Sequence, residues 1–278
     1  MEIYGLDAFS PKEIAGRVNE FCVVKARLPL LTMWMLGMLA GAFIGLGSIF
    51  YTLVVSDASL GFAAARVTGG VVFSLGLMLV VVAGAELFTG NNLLAMGWAD
   101  GCVSLREVLR NWGVVCAANF VGAAGLALIV YLSGHWEMNG GAVGATYLKI
   151  AAAKAALPAW RAFFLGVLCN ILVCMALWMA LAGRSVVDKF VAMVLPISAF
   201  VAAGFEHSIA NMYFFQVALL LKWHGLALPP GGDAITLAGM LGNLGPVIAG
   251  NIVGGSVLVA LVYWVIYLRG QPPRARPD

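Results

Sequence analysis

The sequence predicts an all-α integral membrane protein with six transmembrane helices, arranged as an inverted 3+3 repeat in which spans two and five are broken. Three observations predict it. Of the 278 residues, 62% are hydrophobic and only 10% are charged, whereas a soluble domain carries about 25% charged residues. Six stretches reach the length of about 20 apolar residues that a bilayer core requires. A polar motif, Gly-x-Glu-x-x-x-x-Asn, interrupts both the second and the fifth stretch.

The first element, residues 1–27, is predicted to form a cytoplasmic amphipathic helix at the membrane surface. Ser10, Pro11 and Glu13 have the pattern of a capping box with proline at the first helical position. Apolar residues from Ile14 onward fall on one helical face, as in helices that lie in the interface. The segment lacks the apolar stretch of a signal peptide. The alternative is a polar lead-in without a role.

The second element is a six-helix transmembrane channel domain, predicted over residues 28–268. Its spans are expected at about Leu28–Val55, Val67–Met96, Trp112–Leu132, Trp160–Leu181, Phe190–Leu221 and Leu244–Leu268. Eleven of the 16 lysines and arginines fall at the two termini and in the loops after spans two and four. By the positive-inside rule this places both termini in the cytoplasm. The last segment, residues 269–278, is rich in proline and is predicted to be a disordered cytoplasmic tail.

Composition also excludes several classes of partner. The net charge is +3 without a dense basic run, so no nucleic-acid partner is expected, and the lipid bilayer is the predicted surrounding. The five cysteines form no C-x-x-C pair and the histidines have no metal-ligand spacing. No metal, cofactor or disulfide framework is expected, and the cysteines are interpreted as small packing residues.

The repeated motif divides the chain into two halves of three spans. It reads Gly84 to Asn91 in span two and Gly204 to Asn211 in span five, offset by 120 residues. A second match, Asn-x-Val-Gly, begins at Asn119 in span three and at Asn251 in span six. Because each half has an odd number of spans, the second half enters the membrane from the opposite side, which is an inverted-topology repeat.

Polar residues at mid-depth predict a broken helix in each half. An ionisable side chain there costs about 2.5 kcal/mol or more, and non-helical backbone is tolerated only where protein or a water-filled cavity satisfies it. The half-helix ends are expected to face a shared polar path, where their N-termini suit an anion. The glutamates are expected to bond the N–H groups freed at each break. The predicted helix-break supports are Gly84, Glu86, Asn91, Gly204, Glu206 and Asn211.

His207 is the main functional candidate, because histidine's unperturbed pKa near 6.5 allows a change of charge near neutral pH. It can attract an anion, donate a hydrogen bond or pass a proton. The alternative is a neutral histidine bonded inside the bundle, and its place in a matched break favours function. Thr89 can donate its hydroxyl to a passing oxyanion or bond back to a helical carbonyl. Asn170 and Asn251 are expected to line the path.

Six apolar residues are predicted to narrow the path and strip water from the solute, although each is also compatible with ordinary packing. These constriction candidates are Phe73, Leu77, Leu87, Phe88, Val173 and Phe200.

Over residues 10–268 the sequence resembles the formate/nitrite transporter family. The resemblance rests on Glu86–Asn91, Leu168–Cys174, Gly204–Met212 and Gly250–Gly255. It implies an aquaporin-like protomer in the cell inner membrane, a homopentamer with one pore per subunit, and small monovalent anions of weak acids as substrates. It implies a channel or transporter and not an enzyme.

The same resemblance implies roles for individual residues. His207 takes the place of the central pore histidine and Thr89 that of the threonine in broken span two. Lys154 matches a lysine that draws anions toward the entrance, and Asn170 and Asn251 match polar pore residues. The six constriction candidates match apolar pore residues, and the N-terminal helix resembles a segment that gates some members at low pH.

Formate is the first-ranked substrate, with transport that is expected to depend on pH. Two modes stay open: a channel, and proton-coupled transport in which His207 passes a proton to the anion. Asp188, Lys189 and the segment Tyr263–Arg269 look most like formate channels, whereas Glu86–Gly90 looks more like the nitrite branch. Nitrite or hydrosulfide is the alternative. A neutral-solute channel of aquaporin type is more remote because the Asn-Pro-Ala signature is absent. A membrane hydrolase is disfavoured, since adjacent helical residues such as His207 and Ser208 point in different directions.

Overall fold

The structure is a computed structural model that describes residues 8–270. Residues 1–7 and 271–278, and with them parts of the predicted N-terminal segment and most of the predicted tail 269–278, lie outside the described residues. The described part is helical and contains no strand. Its main helices, in chain order, are α1 (Pro11–Ala26), α2 (Leu30–Val55), α3 (Phe62–Gly84), α4 (Leu94–Ala99), α5 (Leu105–Leu132), α6 (Ala142–Ala155), α7 (Ala159–Ala182), α8 (Val186–Ala203), α9 (Ser208–His224) and α10 (Leu237–Tyr267).

Six of these helices, α2, α3, α5, α7, α8 and α10, are long and apolar enough to cross a membrane. The prediction of six spans is confirmed. Four of the spans begin four to seven residues earlier than predicted. The predicted starts are Val67, Trp112, Phe190 and Leu244, and the observed starts are Phe62, Leu105, Val186 and Leu237.

Three of the four early starts, those of α5, α8 and α10, follow from helix capping, whereas α3 begins after Gly61 without a side-chain cap. Ser104 begins α5 with a capping box, in which its hydroxyl accepts from the Glu107 N–H and its own N–H donates to the Glu107 carboxylate at 2.7 Å. Ser185 and Asp188 form the same box at α8. An apolar window ends at the first charge, whereas a helix begins where its free N–H groups find an acceptor. The sequence prediction therefore placed these boundaries too late.

Helix α1 begins at Pro11 with Ser10 as the N-cap, and the predicted capping box is present. Hydrogen bonds from Ser10 to the Glu13 carboxylate lower the pKa of that exposed group. The apolar face of the helix, which includes Val18 and Cys22, is fully buried against the bundle. Protein and not lipid therefore covers the apolar side of α1.

The sequence does not predict helix α6, because its 14 residues are too few for a membrane span and two of them are lysines. It precedes α7 as α1 precedes α2. Tyr147, Leu148 and Ala151 on its inner face have no exposed area. The second half of the chain therefore repeats the whole of the first, including its leading short helix.

Both predicted breaks are present. Helix α3 ends at Gly84, with φ of 84°, and α8 is capped by Gly204, with φ of 77°. Both angles lie in the left-handed region, which glycine adopts without steric cost. After Gly84 the chain runs through a non-helical segment to a 3-10 turn, Gly90–Leu93, that leads into α4; after Gly204 it is non-helical until α9 begins at Ser208.

The two halves run in opposite directions. Helices α3 and α8 pack together along their lengths. Arg66, near the start of α3, donates from Nε to the Ala202 carbonyl at 2.8 Å, and Ser74 donates from Oγ to the Val194 carbonyl at 3.4 Å. Residue numbers rise along one helix as they fall along the other, so the helices are antiparallel, as an inverted repeat requires.

Close helix crossings hold each half together. A Cβ atom at Gly122 in α5 would collide with the main chain of Met38 in α2. A Cβ atom at Gly254 in α10 would collide in the same way with the main chain of Val167 in α7. Small residues that allow main chains to approach are typical of helix packing in membranes.

Candidate functional site

Two vestibules open on opposite faces of the bundle and approach each other at the broken helices. The proximal vestibule, on the face of α1, has a volume of about 700 Å³ and is lined by Lys25, Glu86, Leu87 and Lys189 among others. The distal vestibule, on the face of α6, has a volume of about 280 Å³. Its lining includes Arg66, Phe73, Lys154, Phe200, Glu206 and His207. The broken helices thus form the floor of two opposed cavities.

A four-residue polar network supports the break in span two. The Lys25 ammonium lies 2.5 Å from Glu86 Oε1. Asn91 donates from Nδ2 to Glu86 Oε2 at 2.7 Å and to Asn111 Oδ1 at 2.8 Å. Asn111 donates in turn to the Lys25 carbonyl at 3.1 Å. The buried carboxylate is thereby both charge-paired and hydrogen-bonded, which a buried charge requires.

The same network occurs at the break in span five. The Lys154 ammonium lies 2.8 Å from Glu206 Oε1. Asn211 donates to Glu206 Oε2 at 2.6 Å and to Asn243 Oδ1 at 2.8 Å, and Asn243 donates to the Lys154 carbonyl at 3.0 Å. Each bond has its counterpart in the first half, so the inverted repeat extends to individual side-chain atoms.

Asn119 holds the main chain of the first break. Its Oδ1 accepts the Phe88 N–H at 2.9 Å, and its Nδ2 donates to the carbonyls of Gly37 at 2.7 Å and Glu86 at 2.9 Å. An amide serves here because it accepts and donates at once. A carboxylate accepts only, and would leave the Glu86 carbonyl, which the break frees, without this donor.

Asn251 holds the second break in the same way. It accepts the Ser208 N–H at 3.0 Å and donates to the carbonyls of Gly166 at 2.8 Å and Glu206 at 3.0 Å. The expectation that Glu86 and Glu206 bond the freed N–H groups is therefore wrong: the asparagines do so, and the glutamate side chains bind lysine and asparagine. Asn251 has no exposed area and lines neither vestibule.

Thr89 and His207 meet between the vestibules. Thr89 Oγ1 lies 2.9 Å from His207 Nε2, and both residues are buried. His207 is also the N-cap of α9, because its Nδ1 accepts the Ala210 N–H at 3.1 Å. With Nδ1 acting as an acceptor, the neutral imidazole carries its proton on Nε2 and donates it to Thr89 Oγ1. The threonine hydroxyl hydrogen is then available to a further acceptor.

A polar cluster behind Thr89 fixes its position. The Thr89 carbonyl accepts from Asn170 Nδ2 at 3.2 Å and from the Cys174 thiol at 3.5 Å. Asn170 also donates to Asn92 Oδ1 at 2.8 Å and to the Asn251 carbonyl at 2.7 Å. Asn170 is fully buried and lines neither vestibule. Its place in the structure is behind the threonine, which it holds in contact with the histidine.

The constriction candidates occupy two kinds of position. Phe73 and Phe200 line the distal vestibule with their rings edge to face at a centroid distance of 5.8 Å. The Phe200 ring also stacks on His207 at 5.8 Å. Leu87 lines the proximal vestibule. Leu77, Phe88 and Val173 are buried in the core and line neither.

Three network members and Arg66 were missed by sequence reasoning. The network members carried a usable signal. Asn111 and Asn243 are offset by 132 residues, as are Asn119 and Asn251, and Lys25 and Lys154 each lie near the end of the short helix before a half's first span. Across the described residues, no cluster of His, Cys, Asp and Glu is suited to a metal ion, and Cys22, Cys116, Cys169 and Cys174 are free thiols.

Comparison with known proteins identifies relatives along almost the whole chain. A family model described as formate/nitrite transporter matches residues 12–265. The chain is 38% identical over 273 residues to "Formate channel FocA" of Escherichia coli (strain K12), covering 95% of this chain and 96% of that protein. A solved "Pentameric formate channel with formate bound" is 37% identical, with a TM-score of 0.78 and coverage of 86% and 98%. A solved "FNT family ion channel" is 32% identical, with a TM-score of 0.82 and coverage of 91% and 98%.

Proposed function

Because this chain belongs to the formate/nitrite transporter family, we propose that it conducts small monovalent anions of weak acids, with formate as its main substrate. The relatives are channels and transporters, which confirms the prediction that the chain is a multi-pass membrane protein and not an enzyme. The two relatives that are formate channels by name support formate as the first choice.

One observation carries this proposal: a hydroxyl–imidazole pair is buried between two cationic vestibules. Thr89 and His207 provide a hydrogen-bond donor at a buried contact between the vestibules. Lys154 lines the distal vestibule and Lys25 the proximal one, each with about 15% of its side chain exposed. A lysine ammonium has three donors, so the bond to glutamate leaves others to face an approaching anion.

The apolar rings select against hydrated ions. An anion that passes Phe73 and Phe200 must lose most of its water, which is costly for a charged species. The Thr89 hydroxyl replaces part of that hydration, because its oxygen already accepts from His207 and its hydrogen is free to donate. This arrangement suits a small oxyanion such as formate and equally its neutral acid.

Proton coupling would act through His207. A second proton on the imidazole must bind Nδ1, which in the neutral state accepts the Ala210 N–H and caps α9. Protonation therefore adds a positive charge in the path and at the same time removes the N-cap. We propose that the pH dependence of transport arises from this competition.

Formate uptake into proteoliposomes across pH tests the central pair. His207→Asn keeps an N-cap acceptor and a donor toward Thr89 but cannot be protonated. We expect it to conduct formate within about tenfold of wild type, the range of one hydrogen bond to an anion, and to lose the pH dependence. A pH profile unchanged in His207→Asn would overturn the role of the histidine.

Thr89→Val and Thr89→Ser are the matched pair for the hydroxyl. Valine has the shape of threonine without the donor, and we expect formate flux to fall at least about tenfold, whereas serine retains most of the flux. Equal flux in the two variants would contradict the proposed role.

The same assay compares substrates. Nitrite or hydrosulfide moving faster than formate at every pH would assign the chain to the alternative substrate. Liposome swelling in glycerol without anion flux would favour the neutral-solute channel.

The proposed setting is a homopentamer in the cell inner membrane with both termini in the cytoplasm. Support comes from the pentameric relative and from the excess of lysine and arginine on the face of α1. Light scattering of the purified protein in detergent measures the subunit number, and protease access to an N-terminal tag in spheroplasts measures the orientation.

A further inference from the structure

Arg66 closes the end of a broken helix where it opens onto the distal vestibule. Its guanidinium donates from Nε to the Ala202 carbonyl at 2.8 Å and from Nη2 to the Val201 carbonyl at 3.1 Å. Nη1 lies 3.3 Å from the Tyr51 hydroxyl. Both carbonyls belong to the last turn of α8, just before Gly204. The guanidinium, with its forked set of N–H donors, fits two adjacent carbonyls, as an ammonium does not.

The C-terminal end of a helix is the wrong end to present to an anion. Its free carbonyls carry the equivalent of roughly −0.5 elementary charge. The last turn of α8 lines the distal vestibule, so an anion on its way to His207 passes this end. Arg66 covers the carbonyls with a positive charge and so removes the repulsion.

Arg66 also supplies the net charge of the distal vestibule. The charged residues in its lining are Arg66, Lys154 and Glu206. Lys154 and Glu206 are paired with each other and cancel. The remaining positive charge is that of Arg66. Gly204 preserves the contact, because a Cβ atom there would lie 2.7 Å from Arg66 Nη2.

The proximal vestibule has the same charge arrangement, a lysine–glutamate pair and one further cation, but the further cation does not occupy the repeat position equivalent to Arg66. Its charged lining residues are Lys25, Glu86 and Lys189, and Lys25 and Glu86 cancel as a pair. Lys189 belongs to the first turn of α8, which is antiparallel to α3, and it shares the vestibule with the last turns of α3. Each broken helix thus ends near a cation from the first turns of the other.

We propose that Arg66 and Lys189 are helix-end cations that make each vestibule attractive to anions and so set the apparent affinity for the transported anion on each face. The inference rests on the proposed function as an anion channel, and it assigns to these residues a part of the anion attraction that the sequence analysis gave to Lys154 and the half-helix N-termini.

Formate uptake measured separately from each face tests the proposal, using right-side-out and inverted membrane vesicles. For Arg66→Gln we expect the half-saturating formate concentration to rise about fivefold from the distal face, because a focused vestibule field changes local anion concentration by tenfold or more. The maximal rate should change by less than about twofold. The difference in half-saturating concentration between Arg66→Gln and wild type should shrink at high salt, because salt screens the field of Arg66 in the wild type.

Two matched variants separate charge from packing. Arg66→Lys keeps the charge without the fork, and we expect half-saturation near that of wild type. Arg161→Gln removes an exposed cation outside either vestibule lining, and we expect no shift. The proposal is overturned if Arg66→Gln matches Arg161→Gln, or if Arg66→Lys is as impaired as Arg66→Gln.

Further controls keep the test decisive. If Arg66→Gln does not assemble, Lys189→Gln assayed from the proximal face gives the same reading, and an unchanged half-saturation there overturns the proposal. Absence of formate flux in wild type would defeat the proposed function, whereas normal wild-type flux with unshifted variants would defeat only the role of the helix-end cations.

Discussion

At the scale of single residues, the broken helices depend on amide side chains more than on charged ones. Asn119 and Asn251 each satisfy one N–H and one carbonyl of the broken segment, and each also donates to a carbonyl of a neighbouring unbroken helix. Glu86 and Glu206 have a different task, since each binds a lysine and an asparagine. The sequence places all four at mid-depth but does not reveal which group bonds which.

Replacing Asn119 by leucine should destabilise the protein by about 3 kcal/mol, since the Phe88 N–H and the Glu86 carbonyl lose their side-chain partner and each costs about 1–3 kcal/mol before the structure relaxes. Denaturant unfolding of the purified protein in detergent measures the change. Gln216→Leu is the control: Gln216 makes one hydrogen bond, at 3.3 Å to the Phe120 carbonyl, and its loss should cost under about 1.5 kcal/mol. A loss of stability in Asn119→Leu no larger than that in the control would contradict the role of Asn119 in holding the first break.

At the scale of elements, what matters is how closely main chains approach. Glycines at the α2–α5 and α7–α10 crossings let the helices that carry Asn119 and Asn251 reach the broken segments. Hydropathy locates these helices but not their ends. Capping residues such as Ser104 and Ser185 start helices beyond the apolar window, and a short packed helix such as α6 gives no apolar signal of its own.

Gly122→Ala should therefore destabilise the protein by about 3 kcal/mol, at the upper end of the cost of overpacking, because the new methyl group collides with the Met38 main chain. Gly125→Ala, one turn along the same helix, meets nothing within 4 Å. It should be neutral or stabilising by up to about 1 kcal/mol. Thermal unfolding of the purified variants in detergent compares the two, and equal midpoints would refute the close crossing.

At the scale of the whole molecule, the inverted repeat is symmetric in its support and asymmetric at its centre. Both halves have a Lys–Glu–Asn–Asn network, whereas His207 occupies the position of Leu87 and Thr89 that of Ile209 in the repeat. One donor–acceptor pair therefore serves both vestibules. We expect the two networks to contribute equally to the stability of the protein and to affect anion uptake from opposite faces.

Lys25→Met and Lys154→Met should each cost about 3–5 kcal/mol, because each leaves a buried carboxylate unpaired. Lys154→Met should weaken formate uptake from the distal face and Lys25→Met from the proximal face. Unfolding and sided vesicle uptake measure the two effects.

The double variants Lys25→Met/Glu86→Gln and Lys154→Met/Glu206→Gln are the controls, and they should recover about 2 kcal/mol or more of the lost stability, since the buried charge is gone. Identical sidedness for the two single variants, or no recovery in the doubles, would contradict the proposed symmetry.

The sequence by itself determined the membrane class, the six spans, the two breaks and the inverted repeat. The class and the spans follow from the length of the apolar stretches, the breaks from polar and glycine residues within two of them, and the repeat from a motif that occurs in both halves. It also singled out Thr89 and His207, as polar groups too costly to place at mid-depth without a purpose.

Only the tertiary structure decided the pairing of these groups. Lys25 and Glu86 lie 61 positions apart in the chain. Asn119 lies 31 positions from Phe88 in the first break, and Arg66 lies 136 positions from Ala202 at the end of α8. Buried donors and acceptors must be matched in space. The choice among several polar partners of equal chemistry is made by helix packing, which no local pattern records.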